Sequence, residues 1–475
     1  MVTHEEIQSW LLNLESLTIF RGIQKHEGIQ KLARLCELLL PILERGNTEV
    51  SIDEKRLLSR TWSDFIAALL KELDDALVGD LNGTLGGGRV DLSLYTLIAH
   101  QILKDENPLT LCMERSLPEA IPDTLKNLAY LDLELLYRLN QLNLASLGET
   151  LGAITGIAFH LPPQMHLDPK KYTFPILKPD QNWGNALHEL GRWIHAHGAG
   201  ILGQHHAFIW KHVSAKSDDA SGSRALHPVL NADPISLQDL SGYEAQRAVV
   251  LDNTRRFMEG KPANNLLLYG DRGTGKSATV KAVCRAFADQ GLKLIEVRKR
   301  DLLHFEAIAE TLSHRGLRFV LFIDDLSFEE TDDTFTGLKA LLEGGLERRP
   351  PNMVIYATSN RRHLVKERFA DRPTTAMAAE AIETGDVRAF DTMQEQLSLA
   401  DRFGVTVVFT APTQDEYLSI AEAIAERRGM LPSGADRTQF RANALRWERW
   451  FNGRSPRTAQ QYVDWLAGGE GFPWE

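Results

Sequence analysis

Cysteine is scarce in this chain, with only Cys36, Cys112 and Cys284 among 475 residues and no CxxC spacing. So sparse and odd a set excludes a disulfide framework and paired-thiolate zinc sites, and it fits a reducing compartment. Long apolar runs are missing too. None reaches the ~18 residues needed to cross a bilayer, so no membrane partner is expected. The opening MVTHEEIQSW places two acids where an export signal has basic residues and then an apolar stretch, which makes the cytoplasm the expected location. Positive charge is not in excess either. With a formal net charge of −11 the chain as a whole repels nucleic acid, and only a local basic face would bind it. Internal repeats and extended low-complexity segments are absent.

What is present is an ordinary soluble composition, 43% hydrophobic and 25% charged. The length exceeds one core and predicts roughly two to four domains. Apolar residues first recur at helical spacing: Ile7, Trp10, Leu11 and Leu14, then Ile29, Leu32, Cys36 and Leu39. Trp62, Phe65, Ile66, Leu69 and Leu70 continue the pattern, as do Leu125, Leu128, Leu135 and Leu139. Between them, GDLNGTLGGG at 79–88 and the stretch from Pro108 to Pro122 read as loops, and the triple glycine lacks the Gly-Lys-Ser ending of a phosphate loop. The small polar run AKSDDASGSR at 215–224 reads as a linker.

Beyond that linker the character changes. Short runs of Leu, Val, Ile and Phe at 265–269, 292–298, 319–323, 353–358 and 405–410 alternate with helical patterns. Five buried strands with helices between them predict an α/β domain around a parallel sheet covered on both faces. From about Pro412 onward the pattern is helical again.

The strongest local signal is Gly270-Asp271-Arg272-Gly273-Thr274-Gly275-Lys276-Ser277, lying between an apolar strand and a helical run that begins near Ala278. Glycines let successive backbone N–H groups turn toward β- and γ-phosphates, and the following helix presents its positive end. Lys276 brings a point charge to the same oxygens, and the Ser277 hydroxyl is of the right type to hold Mg²⁺. The second signal is FVLFIDD at 319–325, a buried strand ending in two carboxylates. In open α/β sheets the carboxyl ends of strands line the ligand crevice. Asp324 is expected to hold Mg²⁺, directly or through water, and Asp325 to polarise an attacking water.

With these residues, the chain resembles AAA+ ATPases. FIDDLSF resembles the replication-initiator and helicase-loader clade. Over 205–468 the chain is more similar to a bacterial family of predicted AAA+ ATPases known as a domain of unknown function (eight-one-five), through HPVLNADPISLQDLSGYEAQ, NTRRFMEGKPANNLLLYGDRGTGKS, IYATSNRRHL and LSLADRFGV. The patterning gives a helical N-terminal domain at 1–214, a linker at 215–235, a five-stranded core at 236–411 and a helical segment at 412–475, and the resemblance, which covers 205–468, implies that the core is of the P-loop AAA+ type and the last segment its lid. It implies that Asn360 orients the attacking water, with Thr358 and Ser359 as adjacent alternatives. It implies that Arg402 is a finger reaching the γ-phosphate of a neighbouring subunit. Arg457 on the lid would touch nucleotide from its own subunit, with Arg454 as the alternative. Ser455 as N-cap and Pro456 at the first position would start the helix that carries it. Leu240 to Tyr243 match the segment packed near adenine.

ATP and Mg²⁺ are therefore the expected cofactors. The expected activity is hydrolysis coupled to remodelling of a protein or nucleic-acid client, within a homo-oligomer. A slowly hydrolysing switch and a DNA-transaction ATPase are the alternatives, the first because Asp325 is one methylene shorter than the usual glutamate. Departing from simple cores of this type, the connection from Asn360 to Arg402 is long. It opens with NRRHLVKERFADR at 360–372, whose basic residues suit a nucleic-acid backbone, an acidic neighbouring subunit or plain solvent. The histidines His188, His195, His197, His205 and His206 cluster, but Arg192 breaks a HExxH pattern and no carboxylate or cysteine spacing completes a metal site. Trp183, Trp193 and Trp210 are expected to fill cores rather than stack on bases.

Overall fold

The computed structural model describes residues 1–46, 50–79, 94–159, 161, 176–178, 180–211, 226–326, 350–360, 403–451 and 453–469. The chain separates into two compact units. The first is helical: α1 (His4–Glu15), α2 (Glu27–Glu44), α3 (Ile52–Gly79), α4 (Leu94–Lys104), α5 (Pro108–Arg115), α6 (Asp123–Asn140), α7 (Leu144–Thr155), α8 (Leu187–His197) and the short α9 (Ile201–Gln204). Local signals start these helices. Thr3 and Glu6 form a reciprocal cap on α1, and the Asn107 side chain accepts the Leu109 and Thr110 N–H groups ahead of Pro108 in α5. α2 buries Ile29, Leu32, Cys36 and Leu39 on one stripe, as its spacing predicts.

α6 is a helix as expected, and of the four leucines that mark its period Leu139 is buried, Leu125 and Leu135 pack partly buried against the core, and Leu128 does not reach it. The buried stripe is Ala129, Leu133, Leu136 and Leu139, while Leu128 is exposed. Leucines run all around this helix, so periodicity names the helix without naming its inner face. The same stripe buries Asp132, whose carboxylate accepts the backbone N–H groups of Thr18, Ile19 and Phe20 at 2.6–3.1 Å. A buried carboxylate satisfied by three amides fixes the turn after α1 against α6. Glu114 is likewise buried and forms a two-pronged ion pair with Arg315, at 2.7 and 2.8 Å. Burial pushes the Glu114 carboxyl up, but the Arg315 hydrogen bonds and charge, with the Ala199 and Gly316 amides, outweigh it and hold it below the usual carboxylate range.

The second unit is built on a seven-stranded sheet in the order β2-β1-β4-β5-β6-β3-β7. The strands are β1 (Ala207–Trp210), β2 (Leu226–Pro228), β3 (Leu266–Gly270), β4 (Leu292–Glu296), β5 (Arg318–Ile323), β6 (Met353–Ser359) and β7 (Val405–Phe409). The β1–β4, β4–β5, β5–β6, β6–β3 and β3–β7 ladders are all parallel. The expected α/β arrangement around a parallel sheet is present, corrected from five strands to seven. The two added strands lie beyond β4 and span only four and three residues, too short for any hydrophobic run to stand out. β3, β5 and β6 are buried almost throughout because helices cover both faces. The edge strand β7 alternates, burying Val407 and Phe409 and leaving Thr406 and Val408 exposed.

Around the sheet lie α10 (Glu244–Met258), α11 (Lys276–Ala286) and α12 (Phe305–Ser313). The helical segment expected as the lid, and called so below, follows as α13 (Gln414–Arg427), α14 (Ala435–Trp450) and α15 (Pro456–Gly468), sharing a core of Tyr417, Ile420, Phe440, Trp447, Tyr462 and Val463. No described helix is long and apolar enough to cross a membrane.

Candidate nucleotide site

β3 runs into the glycine loop, and α11 begins directly after it. Gly270 sits at φ +143°, and a Cβ there would collide with the Phe409 carbonyl of β7, so only glycine lets the chain leave the sheet at this point. Gly275 at φ +87° caps α11 in the left-handed region. Between them, the Asp271 backbone carbonyl accepts the Thr274 hydroxyl at 2.8 Å, and the Asp271 carboxylate accepts the Ala411 N–H at 2.8 Å. Ala278 lies in the first turn of α11 and lines the cleft above the loop.

Lys276 is 5% exposed, and its ammonium donates to the carbonyls of Gly270 (3.1 Å) and Asp271 (2.7 Å). Burial lowers its pKa to about 8, against the opposing pull of Asp271, Asp325 and Asp324. Desolvation, not a lack of nearby carboxylates, is what disfavours its charged form.

The carboxyl end of β5 lies beside the loop. The Ser277 hydroxyl donates to Asp324 Oδ1 at 2.6 Å, and the Thr358 hydroxyl donates to the same oxygen at 2.6 Å. Thr358 also accepts the Asp325 N–H at 2.9 Å, and Asn360 Nδ2 donates to Asp325 Oδ1 at 2.7 Å. Asp325 holds φ +51°, an uncommon conformation for a residue with a side chain, and these two bonds hold it there. Of the three polar residues ending β6, Asn360 lines the cleft, Thr358 braces the carboxylates, and the Ser359 hydroxyl is buried on neither. A hydroxyl and a carboxylate 2.6 Å apart are hard oxygen donors of the kind Mg²⁺ takes.

The lid reaches the same cleft, of about 560 Å³, through Ile424, Pro456, Arg457 and Gln460. Ser455 caps α15 with Pro456 at its first position, and the Arg457 N–H donates to the Gly273 carbonyl at 3.3 Å. Gly273 at φ +76° leaves room for Ser455. The alternative, Arg454, is taken up by Glu448 at 2.6 Å, whereas Arg457 is exposed on the cleft wall, as is Arg272.

At the other end, Leu240 and Tyr243 line the cleft with Ile235 and Ile424. Tyr243 holds φ +60°, donates its hydroxyl to the Thr410 carbonyl at 2.6 Å and packs on Phe409. Arg247 Nη1 donates to the Leu240 carbonyl at 2.7 Å. Asp239 has its carboxyl held low, chiefly by hydrogen bonds from Ser236 and less by Arg427 and Arg285.

Some cleft residues escaped the reading of the sequence. Asp239, Arg247 and Ile424 carry no motif. Gln460 was findable, standing three residues after Arg457 on one helical face. Arg402 lies outside the described residues, as do residues 361–372 of the basic run and the 215–224 linker. Of the histidines, His188 pairs with Glu119, His195 Nδ1 lies 3.1 Å from the Glu114 carbonyl, and His197 stacks on Trp193. Trp183 is fully buried, and Trp210 is 2% exposed.

Comparison with known proteins finds a family profile described as "Protein of unknown function (DUF815)" that matches residues 203–470. No curated protein matches the sequence. Among solved structures, the chain is similar to the Holliday junction branch migration motor RuvB of Thermotoga maritima, with 18% identity, a TM-score of 0.31, and coverage of 50% of this chain and 65% of that one. It is also similar to the Orc1 protein of Aeropyrum pernix in complex with DNA, with 15% identity, a TM-score of 0.32, and coverage of 49% and 62%. In both cases the match spans less than two-thirds of the other protein.

Proposed function

The chain belongs to the DUF815 family, and from the site itself we propose that it binds ATP with Mg²⁺ and hydrolyses it as an AAA+ ATPase. The observation that carries this reading is the convergence of Lys276, the Ser277–Asp324 pair and the Asn360–Asp325 pair on one cleft. The loop amides and the Lys276 ammonium bind the β- and γ-phosphates. Ser277 and Asp324 would hold Mg²⁺, which when bound neutralises charge on the phosphate oxygens. Asp325 accepts the proton of a water whose oxygen bonds to the γ-phosphorus while the bond to the β–γ bridging oxygen breaks. Asn360 holds that carboxylate in place, and Arg457 carries the lid's charge to the nucleotide. Leu240 and Tyr243 wall the base. Arg402 would complete the site from a neighbouring subunit, which makes the working form an oligomer. Its output would be lid motion transmitted to a macromolecular client.

A second reading, a switch that turns over slowly, is favoured by the left-handed, doubly tethered Asp325, because a short carboxylate held in this way has less freedom to meet a water. One experiment addresses both readings. Titration calorimetry with ATP, with and without Mg²⁺, is run beside phosphate release for wild type, Asp324→Asn and Asp325→Asn. The ATPase reading expects Asp324→Asn to lose the Mg²⁺-dependent part of binding and Asp325→Asn to bind normally while hydrolysis collapses. Normal hydrolysis by both variants refutes it. Tight binding with negligible wild-type turnover selects the switch.

A further inference from the structure

The cleft has a polar end at Lys276, Ser277, Asp324 and Asn360, and an apolar end at Ile235, Leu240, Tyr243 and Ile424. A nucleoside triphosphate with its phosphates on the glycine loop must place its base at the apolar end. The wall there, Asp239 to Tyr243, is an irregular segment between the short turn Leu237–Asp239 and α10. Such a segment has no ladder of its own and keeps its shape through the groups that grip it.

The core grips it at two points, where Arg247 holds the Leu240 carbonyl and Tyr243 reaches the Thr410 carbonyl. The lid grips the residues between. Arg427, in the last turn of α13, donates Nη1 to the Ser241 hydroxyl at 2.7 Å and Nη2 to the Asp239 carbonyl at 2.9 Å. One turn and two turns earlier on the same helix, Ile424 lines the cleft and Ile420 packs against Gly242, where a Cβ would come within 2.8 Å of its Cδ1. A planar guanidinium is suited to bridging two acceptors spaced two residues apart, which a single ammonium cannot do as well.

We propose that Arg427 is a positioning residue that fastens the lid to the base-side wall, so that binding of the base is linked to closure of the lid. The proposal rests on the nucleotide reading above and deepens it. The phosphate end of the ligand is read by the loop, and the base end is read by a wall whose shape the lid sets. Arg427 touches neither end.

The test is calorimetric titration of the full chain with ATP, GTP and inorganic tripolyphosphate. For Arg427→Gln the expected result is ATP affinity about tenfold weaker, within the usual range of coupling between linked sites, and any difference between ATP and GTP seen in the wild type reduced. Tripolyphosphate, which has no base, should bind within about twofold of wild type by the same linkage argument. Arg427→Lys should recover part of the ATP affinity, and Ser241→Ala should cost little when added to Arg427→Gln. Unchanged ATP affinity in Arg427→Gln overturns the latch, and so does an equal loss for ATP and tripolyphosphate. A wild-type chain that binds neither ligand overturns the nucleotide reading and this proposal with it. A wild-type chain that binds both, beside an indifferent Arg427→Gln, overturns the latch alone.

Discussion

Burial leaves the Lys276 ammonium with a pKa of about 8 in place of its ordinary 10.5, and that displacement would make the proposed binding of ATP a proton-linked event. Phosphate oxygens favour the charged form, so the bound complex should return the lysine toward its ordinary value. The sign follows. Below about pH 8 the lysine is already charged and binding draws no proton, whereas above it binding must recharge the amine and weakens as pH rises. If the bound value is fully restored, affinity between about pH 7 and pH 9 falls about tenfold, and binding near pH 8 takes up about half a proton.

Calorimetry in buffers of different ionisation enthalpy reads that uptake directly. Lys276→Met is the control, since it should abolish or nearly abolish binding and remove the lysine-linked uptake from whatever signal remains. A wild-type profile that is flat across this range, with no proton taken up, refutes the lowered lysine pKa on which the linkage depends. Wild-type affinity in Lys276→Met removes the loop as the site altogether.

Three other expectations are open to test. Asp132→Ala strands the three amides of Thr18, Ile19 and Phe20 and should cost about 3 kcal/mol, read as a lower denaturant midpoint of the helical unit, whereas a cost near zero means water replaces the carboxylate. Arg457→Ala should weaken ATP binding while Arg454→Ala leaves it near wild type, because Arg454 is already paired with Glu448; equal losses in nucleotide titrations would show that both reach the site. Arg402→Ala should bind ATP and hydrolyse poorly, and mixing it with Lys276→Ala should restore phosphate release if fingers are shared between subunits; no recovery, with wild-type activity independent of protein concentration, counts against the oligomer.

What could be read from the sequence, and what could not, divides by the range of the interactions involved. The loop from Gly270 to Ser277 was legible because its requirements are local: glycines at positive φ, a lysine and a hydroxyl at fixed spacing, a strand before and a helix after. Asp324 and Asp325 were legible for a related reason, since a buried strand ending in carboxylates announces where its polar end emerges. The cap at Ser455 and Pro456 needed only its own four residues. Legibility failed where the partner is distant or the element too short. Nothing in the residues around Arg427 names Ser241, 186 positions away, and nothing in the LSGY stretch announces that a lid helix will hold it. β1 and β2 have too few residues to display a period, and they exist as strands through β4's free edge. In α6 the leucines pointed in every direction, and the inner face followed Asp132, a residue that hydrophobic patterning places outside. The end of the cleft proposed for the phosphates is therefore a property of short motifs, whereas the end proposed for the base is a property of packing. Substitutions at the base end should accordingly change which nucleotide is held and how the lid responds, while leaving phosphate capture by the loop intact.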